Sequence, residues 1–189
     1  MLTIPKQYKS LKFIKLISWS DIFAEWCWSE AWQESWKKHW KERGYSSWEE
    51  WRQRYAAPLK PEKLEWFLYE ITDPLESFPN FLGVPSKSWI KKAYGGQTSK
   101  RLKDILSLPI IKDNDKIIDI KKKFPASTMF TGIVAKNDII IIEGMHRACA
   151  LASWDKSKTL NSKIGIALAD WTQKEIPVIG SGYKNNRCL

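Results

Sequence analysis

Residues 129–152 read Met129-Phe130-Thr131-Gly132-Ile133-Val134-Ala135, then Lys136-Asn137-Asp138, then Ile139-Ile140-Ile141-Ile142-Glu143-Gly144-Met145-His146-Arg147-Ala148-Cys149-Ala150-Leu151-Ala152. Two β-rich runs joined by three polar residues predict an antiparallel hairpin. The second run is apolar throughout, which suits a central strand covered on both faces. Glu143-Gly144 ends that strand, and Met145 to Trp154, with its alanines and leucine, predicts a helix. A strand that runs into a helix across a glycine leaves unpaired amides at the helix start. Those amides and the positive end of the helix dipole attract an anion, and Gly144 removes the Cβ that would keep a ligand off the backbone. His146 and Arg147 lie in the first turn, where positive charge disfavours the helix unless an anion offsets it. Taken by themselves, the two also read as a core histidine and an Arg147–Glu143 ion pair.

Outward from this stretch, Lys163 to Ala169 predicts a further strand and Ile176 to Ile179 a last one. Upstream, Lys116 to Ile120 is β-rich, and Thr98 or Ser99 caps a short helix over 100–106 that ends before Pro109. Residues 74–96 hold Pro74, Pro79, Gly83, Pro85, Gly95 and Gly96, so they read as a connection with one short strand or helix near Trp89. Residues 12–18 suggest a first strand. Ser20-Asp21 caps a helix that continues through Trp40 until Gly44, and Ser46 or Ser47 caps a second, Trp48 to about Ala57, stopped by Pro58. Pro61-Glu62 opens a third helix through Leu64, Phe67, Leu68 and Ile71. The expected fold class is α/β (α+β): a small mixed sheet in residues 97–189, preceded by a Trp-rich, mainly helical region over 1–96 that packs on it.

Eight of the twelve tryptophans fall between residues 19 and 51, and Trp28, Trp32, Trp36 and Trp40 recur every fourth position. On a continuous helix they form one aromatic stripe, expected to pack on the core and on Trp48 and Trp51. The functional alternatives are a lid or wall that stacks a base or sugar, or a partner interface. A helix lying in a membrane surface needs a cationic polar face, and Glu25, Glu30 and Glu34 weaken that reading.

The 189 residues carry 31 Lys and Arg against 21 Asp and Glu, a net charge of +10. That excess favours anionic partners such as nucleotides, nucleic acid or a phospholipid surface without choosing among them. It is spread over both ends of the chain, unlike a dense basic DNA-binding arm. Cys27, Cys149 and Cys188 are odd in number and lack CxxC spacing, so neither a disulfide framework nor a zinc ribbon is indicated. No segment approaches the roughly 18 apolar residues of a membrane span, and the first twenty residues hold no secretory apolar core, so a cytoplasmic location is expected. His39 and His146 are the only histidines, far apart in sequence, so no protein metal site is expected. His39, beside Lys37, Lys38 and Lys41, reads as a solvated helix residue.

The run Ile139 to Ala152 resembles the strand-(Asp/Glu/Gly)-Gly-x-(His/Arg)-Arg-x-x-Ala box of the ParB/sulfiredoxin-like superfamily, strongly over 128–152 and by order of elements over 98–180. The resemblance implies a hairpin leading into a helix whose first turn holds nucleotide phosphates. Gly144, Met145, His146 and Arg147 would then be the nucleotide-binding residues and Glu143 the catalytic one. ATP, ADP or CTP would be bound, with Mg²⁺ between the phosphates. Sulfiredoxin needs a cysteine where this chain has Met145, and Cys149 lies one turn later, so thiolate chemistry is not implied. ParB-type DNA binders carry a helix-turn-helix after the box, and here residues 153–189 are rich in strand formers.

Two functions follow. The favoured one is a phosphotransferase similar to the free-serine kinases of the superfamily, acting on a small hydroxyl-bearing metabolite, with Glu143 holding the metal or orienting the acceptor. A separate acid must then take the acceptor proton, and the sequence does not place it. The alternative is a nucleotide-switched module that orders the Trp-rich helices for a partner or for DNA. A membrane partner is not expected.

Overall fold

The computed structural model describes residues 2–180. Its chain enters the sheet at Leu11–Ile17 (β1), then forms the helices Trp19–Glu30 (α1), Glu34–Glu42 (α2) and Trp48–Ala56 (α3). Trp66–Ile71 (β2) follows, then the short helices Pro74–Ser77 (α4), Lys87–Ala93 (α5) and Pro109–Lys112 (α6), and Asp115–Lys122 (α7). Ser127–Ala135 (β3) and Asp138–Glu143 (β4) form the hairpin, Met145–Ala152 (α8) the helix after it, and Lys163–Trp171 (β5) the last strand. The five strands make one mixed sheet in the order β1-β2-β5-β3-β4, with β3 and β5 parallel and every other pair antiparallel. The α+β class expected from the sequence is therefore present, with a Trp-rich helical region in the N-terminal half. The sheet itself crosses the division at residue 96, because β1 and β2 come from the N-terminal half and β2 pairs with β5.

Ile139, Ile140 and Ile141 have no exposed surface and Ile142 only 1 %, as an apolar run covered on both faces requires. Although β4 ends the strand order, its outer edge is covered. Leu82 N–H donates to the Ile139 carbonyl at 2.8 Å, and Ile141 N–H donates to the Leu82 carbonyl at 2.9 Å. Unsatisfied strand groups there would otherwise invite pairing with another chain.

Five sequence expectations are corrected. The third helix does not form: Pro61 opens a single 3₁₀ turn, Leu64 turns extended, and Trp66-Phe67-Leu68-Tyr69-Glu70-Ile71 becomes β2. The aromatic and β-branched content of that run fits a pleated, half-buried surface, and pairing on both sides outweighed the helical spacing. Lys116 to Ile120 is the interior of α7, whose start is capped by the Asn114 side chain accepting from Ile117 N–H at 3.2 Å. The helix over 100–106 shrinks to a 3₁₀ turn, Leu102–Asp104, and Ile179 makes only a single bridge with Ser86.

The fifth correction concerns the tryptophans. The helix expected through Trp40 breaks at residues 31–33, so the stripe never forms as one face. On α1 the buried line is Ile22, Trp26 and Glu30. Trp28 lies two positions from Trp26, about 200° round the helix, and is 79 % exposed; Trp32, in the break, is 69 % exposed. Trp36 and Trp40 are half-buried on a different helix, where Trp36 packs on Trp51 with ring centroids 5.5 Å apart. Trp26, 1 % exposed, instead anchors the helical layer: its indole N–H donates to Thr131 Oγ1 on β3 at 2.9 Å. Chemical denaturation should accordingly show Trp26→Ala costing about 3–5 kcal/mol and Trp32→Ala less than about 1 kcal/mol.

Candidate functional site

Glu143 ends β4 and Gly144 caps α8 with φ of 95°, in the left-handed region that favours glycine. A Cβ at Gly144 would lie 2.6 Å from Cδ1 of Phe130, so the turn needs glycine for space as well as for conformation. The first intrahelical bond of α8 runs from Ala148 N–H to the Gly144 carbonyl at 2.8 Å. No side chain caps the helix start. The amides of Met145, His146 and Arg147 are thus left for a ligand or water.

Arg147 spans the turn. Its Nη2 donates to Glu143 Oε1 at 2.7 Å and Oε2 at 2.8 Å, Nη1 donates to Thr128 Oγ1, and the guanidinium lies 5.2 Å from the Phe130 ring centroid. The two side chains are 17 % and 5 % exposed. The ion-pair reading of Glu143 and Arg147 is the geometry present. His146 lies edge-on to Trp89 at 5.8 Å between centroids. Burial, with Lys116 and Arg147 nearby, pushes its imidazole down to about 4, so it is neutral at pH 7. The first turn of α8 therefore carries less free positive charge than its sequence suggests.

These residues form part of the wall of a cavity of about 1020 Å³, and the Trp-rich helices supply much of the rest. A second buried pair lines the same cavity: Arg52 of α3 donates from Nη2 to Glu30 Oε1 of α1 at 2.8 Å, and its Nε lies 2.8 Å from Oε2. Trp26, Trp51 and Tyr55 surround that guanidinium at 4.7, 5.0 and 4.5 Å. Burial raises the Glu30 carboxyl above its ordinary range, and the Glu143 charge adds to this while Arg52 opposes it. Tyr55 ties α3 to the strand end by donating to the Ile142 carbonyl at 3.0 Å.

Lys116, near the start of α7, also lines the cavity, its Nζ 3.9 Å from the Trp36 ring centroid. Among the described residues no carboxylate lies within ion-pair distance of it, and burial lowers its pKa against the pull of Glu30. His39 lines the cavity too, half-buried against Trp36 and Trp51, which corrects its reading as a solvated residue. Burial, then Arg43, Arg52 and Lys116, pushes it down to about 4.

The site thus keeps Glu143, Gly144, Met145, His146 and Arg147 together and adds Glu30, Arg52 and Lys116, which sequence reasoning did not single out. A signal for Glu30 existed: it continues the Ile22-Trp26 line at four-residue spacing, and a carboxylate on a buried line needs a cation. Lys116 occupies the first turn of its helix, as His146 and Arg147 do, where a cation is poorly placed for the helix itself. Among the described residues no group of three His, Cys, Asp or Glu side chains is arranged to hold a metal, and no helix is long and apolar enough to cross a membrane. Cys27 and Cys149 are unbridged; Cys188 lies outside the described residues.

Removing one member of a buried pair leaves the other as an uncompensated charge. Arg147→Ala should therefore cost about 3–5 kcal/mol in denaturant unfolding, whereas Glu143→Leu with Arg147→Met should lie close to wild type. The two histidines add a pH dependence. Each takes a proton near 6.5 when unfolded and near 4 when folded, so their stabilisation is complete above pH 6.5 and is lost as pH falls towards 4. Thermal melts between pH 7.5 and 4.5 should show this slope, and His39→Asn/His146→Asn should flatten it.

Comparisons with protein-family models, with curated proteins and with solved structures gave no match to this chain.

Proposed function

We propose that the chain binds a nucleoside phosphate, ATP, ADP or CTP, in this cavity and transfers a phosphoryl group to a small hydroxyl-bearing metabolite. The observation that carries the reading is the convergence of two kinds of anion donor on one cavity: open amides at the start of α8, and the ammonium of Lys116, which has no carboxylate partner among the described residues. The ion pairs do not supply a net charge, because Arg52 and Arg147 are each offset by a glutamate. Lys116 and Lys123 are then the lining lysines without a carboxylate partner among the described residues, and at the more buried Lys116 a phosphate would reverse the effect of burial on its charge.

Phosphoryl transfer needs positioning and charge stabilisation more than covalent chemistry from the protein. Arg147 is preorganised by Glu143 and Thr128, so little side-chain freedom is lost when a phosphate arrives. Glu30 supplies the second carboxylate that a phosphotransferase requires, and its raised pKa suits a group that accepts a proton from a hydroxyl. Mg²⁺ is usually held by one or two carboxylates together with the substrate's phosphates, and Glu143 is the carboxylate that would hold it. It already bonds Arg147, so the metal would share it.

Calorimetry with ATP, ADP and CTP in the presence of Mg²⁺ tests the binding step. Lys116→Gln should weaken the favoured nucleotide roughly ten- to a hundred-fold, the range for one charge-assisted contact. Transfer from labelled nucleotide to a panel of small alcohols tests the chemistry: Glu30→Gln should remove turnover and leave nucleotide affinity within a few-fold. Tight binding with no transfer to any alcohol would favour the nucleotide-switched module instead.

A further inference from the structure

Two indoles at the cavity are left uncovered by the fold. Trp28, on the outer side of α1, and Trp32, in the break after it, both line the cavity and are the most exposed large apolar side chains among the described residues. Scattered single apolar residues on a surface need no explanation, but two exposed indoles that line the same cavity give it an aromatic wall.

Local bonding fixes that face. The last carbonyls of α1 lack helical partners, and side chains from the break supply them: Trp32 Nε1 donates to the Trp28 carbonyl at 2.8 Å, and Gln33 Nε2 donates to the Ser29 carbonyl. Ala31 N–H donates to the Cys27 carbonyl at 2.9 Å, and Gln33 N–H to that of Glu30 at 3.0 Å. Trp32 is therefore tied back onto the turn that carries Trp28. The inner side of the same helix is anchored by Trp26 on Thr131 and by Glu30 on Arg52. The Trp32 ring is thus held in place and the helix that carries Trp28 is anchored, a low-entropy arrangement for capturing a flat ligand.

We infer that Trp28 and Trp32 are the stacking platform for the ring of the ligand whose phosphates sit at α8, and that they select for a nucleoside ring without reading which base it carries. The inference rests on the phosphate-binding reading above and adds the substrate class at the other end of the cavity. Stacking on an indole uses the π-face that every base has. The Trp32 N–H, already engaged by the Trp28 carbonyl, is withdrawn from base recognition. Trp36, a third indole lining the cavity, has its ring centroid 3.9 Å from Lys116 Nζ, so aromatic and cationic groups share the cavity wall.

The test compares ATP, CTP and inorganic tripolyphosphate, each with Mg²⁺, by calorimetry on the wild type and on Trp28→Ala/Trp32→Ala. Both side chains are exposed, and an unchanged thermal melt verifies that the variant is folded. ATP and CTP should bind the wild type within about ten-fold of each other and more tightly than tripolyphosphate. The double variant should lose roughly 5- to 150-fold in affinity for ATP, the range for one stacked base, and keep its affinity for tripolyphosphate. Unchanged ATP affinity in the variant, or equal losses for ATP and tripolyphosphate, overturns the platform while leaving the phosphate site standing. A wild type that binds tripolyphosphate as tightly as ATP does the same. Failure of the wild type to bind any of the three overturns the phosphate reading and the platform with it.

Discussion

The Glu143–Arg147 pair constrains the turn on which the candidate site depends. A carboxylate with only 5 % of its side chain exposed is tolerable only beside a cation, and the cation available is one helical turn further along the chain. For the two to meet, β4 must end at Glu143 and α8 must begin at once. That leaves a single residue for the turn, with a positive φ and with Phe130 pressed against its Cα. Glycine alone satisfies both demands. The open amides of α8 follow from this geometry, because Gly144 at the N-cap has no side chain with which to cap the helix.

A second pair, Glu30–Arg52, does for the helical layer what the first does for the sheet. It joins α1 to α3 inside a box of aromatic rings, and Tyr55 carries the connection to the end of β4. Two buried ion pairs in so small a region contribute little net stability, since the desolvation of four charges offsets most of their attraction. What they provide is placement. Each holds a carboxylate and a guanidinium at fixed positions around one cavity, in a medium where charges act more strongly than in water.

The charge balance of the cavity differs from that of the whole chain. A net charge of +10 draws anions towards the protein, but in the cavity the arginines are offset by glutamates and both histidines are neutral at pH 7. In the proposed phosphate site, selectivity would rest on the open amides of α8 and on Lys116, whose ammonium is held partly desolvated against Trp36. Long-range attraction and local recognition are separate contributions here.

The hairpin and the helix after it were legible in the sequence because their signals are local: two β-rich runs, a polar turn, and a glycine between an apolar strand and an alanine-rich helix. So were the capping of α3 by Ser47 and the end of α2 at Gly44. Where local signals conflicted, tertiary pairing decided. Residues 66–71 fit helical spacing and strand composition equally well, and neighbours on both sides made them β2. The break at residues 31–33 contains no proline or glycine to announce it. It exists because Glu30 is held at Arg52 while Trp36 packs on Trp51, and a straight helix would not serve both. By itself, the sequence determined the strand-glycine-helix turn and its ion pair, since those residues lie within five positions of one another. Only the tertiary structure brought Glu30, Arg52 and Lys116 to that turn and left Trp28 and Trp32 uncovered, because these depend on how separate helices pack, which no local spacing encodes.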